Sequence, residues 1–148
     1  MKAAADKLPA VLENDGDNLA LFYSSGEKEC IQNMKALSWL QDRCISNGSS
    51  VEGRITSFRV LTQTLQKTPV LISERTRVIY FPLFGIRDAH AVWIRYDTVM
   101  NFKSRSSHET EILFSGGMKM TFPADRRVIS GQMKRCEVFL EKLRSIPD

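Results

Sequence analysis

Apolar residues recur at two different spacings along this chain, and the spacing changes at identifiable places. Leu37, Leu40 and Cys44 stand three and four apart, one face of a helix that starts near Met34 with Asn33 as its cap. Asn47-Gly48 ends it, since Gly tolerates the left-handed conformation that closes a helix. Val51, Ile55, Phe58, Leu61 or Thr62, and Leu65 continue the helical spacing. Gly53 lies in the first turn of that second stripe, where Gly costs about 1 kcal/mol relative to Ala. Its β-branched content leaves a strand over residues 55–61 as the alternative.

After Pro69 the spacing becomes two. Residues 70–73 and 77–81 read as strands joined around SERT, with Pro82 stopping the second. Residues 90–96 form a third strand, in which Val92 and Ile94 alternate with Trp93 and Arg95, and residues 98–103 extend the sheet after a bend. ETEILF and MKMTF flank Ser115-Gly116-Gly117, a hairpin, with Met118, Met120 and Phe122 sharing one face. The helical spacing returns over residues 128–144 with Ile129, Met133, Cys136, Phe139 or Leu140, and Leu143. Upstream, NLALFYS reads as a strand and turn, the charged GEKE as a loop, and residues 1–15 as a flexible arm. The expected fold is α+β: an antiparallel β-sheet core, helices in the N-terminal half and a covering helix at the C-terminus.

Size and composition agree with one domain over residues 1–148, long enough to bury roughly 70% of its unfolded surface. No apolar run reaches the length of a membrane span, and the N-terminus lacks the apolar stretch of a secretory signal. Cys30, Cys44 and Cys136 are widely spaced and make no zinc pattern with His90 and His108, so neither a metal nor a cofactor is expected. Unpaired cysteines fit a cytoplasmic protein, and Cys44 and Cys136 fall on apolar helix positions.

The net charge of +4 is unevenly spread. Residues 1–30 carry three basic and six acidic side chains, and the remainder carries 18 basic and 11 acidic, a balance of +7. Such a body attracts a polyanion. Arg43, Arg54, Arg59 and Lys67 flank two Gly- and Ser-rich turns, and Ser49 and Ser50 could hydrogen-bond phosphate beside them. Arg75 and Arg77 on the first hairpin form a second basic set, with Lys103, Arg105, Arg126 and Arg127 beyond it. The plain alternative for each is solvated charge, and for Arg54 an ion pair with Glu52 or Asp42. Trp93 sits mid-strand between aliphatics and reads as core or interface rather than as a residue that stacks on bases.

Catalysis finds little support. GSSVEG does not match G-x-S-x-G, and His108 has no nucleophile in fixed relation to it. There is no P-loop and no G-x-G-x-x-G. No catalytic residue is assigned.

An ordered series of clusters does carry a likeness. Cys44 closes a helix, followed by Gly48-Ser49-Ser50 and Gly53-Arg54. Lys67 then precedes Pro69 and the aliphatic Val70-Leu71-Ile72, followed by Phe81-Pro82, Trp93-Ile94, a Gly-turned hairpin at Gly116-Gly117, and Gln132 early in the last helix. This series, over roughly residues 30–143, resembles the ComK family of competence transcription factors. The resemblance implies a regulator of DNA-uptake genes that binds AT-rich promoter boxes, largely through the minor groove, as a homodimer or higher oligomer that bends DNA. It also implies a protease adaptor as partner. The DNA-binding residues expected from charge and likeness together are Arg43, Ser49, Ser50, Arg54, Arg59, Lys67, Arg75 and Arg77. Three departures mark a divergent or C-terminally shortened member: Leu83-Phe84-Gly85 replaces a polar segment, CISNG lacks paired aromatics, and the chain stops at Asp148 without the family's aromatic, basic tail. The alternative function is an interaction module that binds no DNA and pairs with a full-length relative.

Overall fold

Strand β1 (Val11–Asp15), part of the expected N-terminal arm, lies in the middle of a six-stranded sheet. The computed structural model describes residues 7–86 and 89–147. β1 pairs on one side with β2 (Asn18–Phe22), which pairs with β3 (Lys28–Ile31), so the expected GEKE loop gives its last residues to an edge strand. On its other side β1 pairs with β6 (Val92–Arg95), followed by β5 (Val78–Pro82) and the outermost β4 (Val70–Ser73). All these pairings are antiparallel, in the order β3-β2-β1-β6-β5-β4.

β1 is no arm because Val11 and Leu12 are buried, the strand is paired on both sides, and Asn14 has a partner. Asn14 is buried, and its Oδ1 accepts the Ala36 N–H at 2.7 Å. That bond satisfies an otherwise orphaned donor at the start of helix α1 (Ala36–Ser46). The expected cap Asn33 instead takes a left-handed φ of 55°, and Lys35 occupies the cap position without a side-chain bond. The segment before β1 is tied down as well. Tyr80 Oη donates to Pro9 O at 2.6 Å, and the Arg95 N–H donates to Ala10 O at 2.8 Å.

α1 covers one sheet face, where Trp39, Leu40 and Cys44 meet Leu12, Tyr80 and Trp93, and helix α2 (Val51–Thr62) starts on that face with Val51 and reaches the core of the other face with Phe58. Trp93 is wholly buried, which makes it a core residue. Residues 55–61 are therefore helix, not strand. The helix stops at Thr62, where Gln63 adopts a left-handed φ of 61°. Leu65, expected on the apolar stripe, thus lies beyond the helix and is 87% exposed.

The opposite face is covered by a second sheet and helix α3 (Arg126–Ser145). A 3-10 turn at Tyr96–Thr98 redirects the chain, so the expected extension of the first sheet becomes β7 (Val99–Ser106) of a separate antiparallel sheet with β8 (Glu109–Phe114) and β9 (Lys119–Phe122). Ile112, Phe114 and Phe122 pack with Ile129, Cys136 and Phe139 of α3 against Leu71, Ile79, Phe81 and Ile94. The fold is α+β, and the central sheet is buried on both faces.

The second sheet approaches the first closely at one point. A Cβ built on Gly116, whose φ is 90°, would lie 2.7 Å from Ser24 O, whereas one on Gly117 meets nothing within 4 Å. Both glycines hold positive φ and would carry similar strain as alanine. Gly116→Ala is therefore expected to lower the urea midpoint clearly more than Gly117→Ala. Equal shifts would mean that the Ser24 contact carries no constraint.

Candidate nucleic-acid interface

Strand register shows which basic residues share an end of the molecule. Tyr80 pairs with Arg95, and Ile94 and Phe22 both pair with Val11. The β4–β5 turn at residues 74–77 therefore lies at the same end as Arg95 and the start of β1. α1 begins at the far end, held by Asn14, and finishes at this one. Arg43 in its last turn lies over the Trp39 ring at 5.5 Å, and Trp39 meets Tyr80 edge-on at 5.7 Å between ring centres. The chain turns through Gly48, with the Ser49 N–H donating to Cys44 O at 2.9 Å, and α2 starts back.

Ser50 caps α2: its Oγ accepts the Gly53 N–H at 3.0 Å. This explains the glycine in the first turn, because a Cβ there would come within 3.2 Å of Ser50 Oγ. One turn along, Arg54 Nη1 contacts Glu74 Oε1 at 3.0 Å, and only 12% of the Arg54 side chain is exposed. Its partner is Glu74 and not the expected Glu52 or Asp42. The guanidinium ties α2 to the β4–β5 turn, so its charge is largely spent inside the protein. Arg75 and Arg77 beside it are exposed, and Arg77 falls in the turn with φ of 60° instead of in the strand.

Arg59 and Lys67 lie elsewhere. Arg59 Nε donates to Thr68 Oγ1 at 2.9 Å, just before β4 begins, while Arg54 meets Glu74 just after it ends. α2 thus runs antiparallel to β4. The whole of α2 spans about 18 Å, and Arg54 and Arg59 are about 7.5 Å apart along its axis. The structure therefore brings together Arg43, Ser49, Ser50, Arg54, Arg75 and Arg77 at one end of α2 and places Arg59 and Lys67 at the other. Arg135 of α3 joins the second group, its Nη1 donating to Gln132 Oε1 at 3.1 Å while Gln132 Nε2 donates to Lys67 O at 2.8 Å.

Gln63, Leu65 and Gln66, none of them expected at the interface from the sequence, are all exposed on the loop that ends in Lys67. One sequence signal marks this region: no Asp or Glu occurs between Gly53 and Ser73, so α2 beyond its first turn, the loop and β4 carry only basic charge.

The four further basic residues singled out in the sequence, Lys103, Arg105, Arg126 and Arg127, each have a local contact. Lys103 and Arg105 each lie 3.7 Å from Glu111. Arg126 and Arg127 begin α3 against its dipole. Asp125 offsets this, accepting the Arg127 N–H at 2.8 Å and pairing with its guanidinium at 3.1 Å. These contacts bring the Asp125 pKa down to about 2. Arg126 lies over the Phe102 ring at 5.0 Å. Cys44 and Cys136 are buried free thiols, and burial pushes both pKa values up. Among the described residues no His, Cys, Asp and Glu cluster suited to a metal occurs, and no helix is long and apolar enough to cross a membrane.

The family profile described as "ComK protein" matches residues 9–146, nearly the full chain. The chain belongs to the ComK family. It is 29% identical over 111 residues to the competence transcription factor of Bacillus subtilis (strain 168), a match covering 74% of this chain and 58% of that protein. The aligned part is thus less than two thirds of the relative's length. No solved structure matches the chain. The ComK series identified in the sequence maps onto the α1–α2 junction (Cys44 to Arg54), the α2–β4 loop (Lys67 to Pro69), β5, β6 and the Gln132 bridge.

Because Glu74 is well exposed, the Arg54–Glu74 pair is expected to contribute little to stability. A double-mutant cycle with Arg54→Ala and Glu74→Ala should give a coupling of about 0.5–1 kcal/mol in urea denaturation. A coupling near zero would show that Arg54 is free to bind elsewhere.

Proposed function

We propose that this chain is a transcriptional regulator of competence genes that binds AT-rich promoter duplex as a dimer or pair of dimers, in the cytoplasm. The observation that carries this reading is the placement of exposed cations at both ends of α2, joined by a stretch of chain without carboxylates. Arg43, Arg75 and Arg77 form one contact group, and Arg59 and Lys67 the other. Phosphates held by both groups would lay the duplex along α2. Ser49 and Ser50 flank the first group, where a hydroxyl can donate to phosphate while its oxygen still caps the helix. Arg54 acts mainly by fixing the β4–β5 turn that presents Arg75 and Arg77. The narrow minor groove of AT-rich DNA has an enhanced negative potential and suits arginines of this kind. Family membership supports the same reading, since the Bacillus subtilis relative is a competence transcription factor.

One feature favours the second reading, a module that pairs with another member of the family and binds no DNA. An open groove of about 910 Å³ runs between α1 and α2, with Leu37, Val51, Ile55 and Ile86 among its walls. Its rim mixes Lys35 and Arg59 with Asp42 and Glu52, which suits a peptide better than a phosphate backbone. An adaptor that delivers the chain to a protease would be a further partner of that kind.

A mobility-shift series over rising salt separates the two. Five phosphate contacts per chain predict a slope of log K against log salt of roughly −4.5, with AT-rich duplex bound more tightly than a GC-rich control. Arg75→Ala is expected to reduce the slope by about one and to weaken binding to all sequences alike. Equal binding to both duplexes would remove the sequence-selective reading, and absence of binding would leave the interaction module.

A further inference from the structure

Leu65 is an anomaly that the fold does not explain. It is the most exposed of the large hydrophobic residues described, at 87%, and it stands in a loop between polar neighbours. A single exposed leucine is unremarkable where the chain around it is loose. Here the loop is anchored on both sides of that residue. Thr64 is buried, with its hydroxyl 2.6 Å from that of Thr62. Thr68 and Pro69 are buried, and Thr68 accepts from Arg59 Nε. Lys67 O is held by Gln132 of α3, which also donates to Pro82 O at 2.7 Å. Gln63 and Lys67 both sit at left-handed φ, 61° and 51°. Two non-glycine residues in that region cost free energy, and such positions persist only where surrounding contacts impose them. The outcome is a short projection with Leu65 near its tip, Gln66 and Lys67 beside it, and Arg59 at its base.

That combination matches a known way of deforming DNA. Proteins that work in the minor groove contact it with Arg, Lys, Asn or Gln and insert an apolar side chain between base pairs, which unstacks the step and kinks the duplex. We propose that Leu65 is such a wedge: it enters the minor groove at a flexible pyrimidine–purine step while Gln63 and Gln66 lie along the groove floor and Arg59 and Lys67 hold the flanking phosphates. The inference rests on the DNA-binding reading and adds to it the residue that bends the site. Charge supports duplex DNA over a protein partner as the occupant. No carboxylate lies in the chain from Gly53 to Ser73, and Arg135 adds a further cation close to the loop. TA steps in AT-rich sequence are the easiest to open, so the wedge favours such sites in addition to the contacts that the glutamines make with base edges.

The test compares wild type, Leu65→Ala, Leu65→Phe and Lys67→Ala on one AT-rich duplex. The duplex carries end-to-end fluorophores to read bending and 2-aminopurine at a central TA step to read unstacking. Wild type is expected to shorten the end-to-end distance, with a kink of roughly 20–90°, and to raise 2-aminopurine fluorescence. Leu65→Ala should melt at the wild-type temperature and keep the wild-type salt slope, yet lose both signals and bind more weakly. Leu65→Phe should restore them. Lys67→Ala should keep the kink and lower the salt slope by about one. A kink unchanged in Leu65→Ala, or wild-type binding without a kink, overturns the wedge while leaving DNA binding intact. If Leu65→Ala changes the sedimentation of the free protein but not the DNA signals, Leu65 belongs to a contact between chains and the wedge is wrong. If wild type binds no duplex at any salt concentration, the DNA-binding reading and the wedge fall together.

Discussion

Helix α2 lies along β4, the outermost strand of the central sheet, and contributes to both hydrophobic cores at once. Val51 at its start packs with Trp39, Leu40 and Tyr80 on one sheet face. Phe58, two turns later, lies in the core of the other face and stacks on Phe139 of α3 at 4.4 Å between ring centres, 20° from parallel. An uncovered β4 would leave a row of backbone donors and acceptors open at the sheet edge. Covering that edge with a helix anchored in two cores leaves α2 little freedom to slide or rotate. Both proposed contact groups inherit this rigidity. The first is fastened through Arg54 to the β4–β5 turn, and the second through Arg59 to Thr68 and through Lys67 to Gln132 of α3.

The parts legible in the sequence are those decided by local spacing. α1, α2, α3 and the β8–β9 hairpin follow from apolar residues three, four or two apart and from Gly at the turns. β1 and β3 were hidden because their stability is not local. Glu13, Asn14 and Asp15 look like loop residues until Asn14 is seen to satisfy the first N–H of α1, and β3 is charged because it is an edge. The same limit applies to the candidate site. Arg43 and Arg75 are 32 positions apart in the chain, and they reach one end of the molecule only through strand register and the reversal between α1 and α2. Leu65 was misplaced because the stripe of Val51, Ile55 and Phe58 continues numerically to it, although the helix has already ended at Gln63. Its polar neighbours Gln63, Gln66 and Lys67, and the long absence of acidic residues around it, were the available signals.

Two segments noted as departures in the sequence have structural accounts. Leu83 is buried in the core with α3, and its N–H continues the β5–β6 pairing by donating to Val92 O at 3.0 Å. Phe84 packs partly buried on that core. In CISNG, Ile45 is exposed to solvent, so a larger side chain at that position would add to the surface next to Arg43 and would not fill the core. These two segments thus lie in the packing of one sheet end and on the rim of the proposed contact surface.

Hydrogen–deuterium exchange of the full chain, with and without AT-rich duplex at low salt, tests the central claim most directly. The account predicts slower exchange on DNA binding in the α1–α2 junction, the β4–β5 turn and the 63–67 loop together, and little change over β7, β8 and β9. Protection confined to the second sheet, or to only one end of α2, would contradict it.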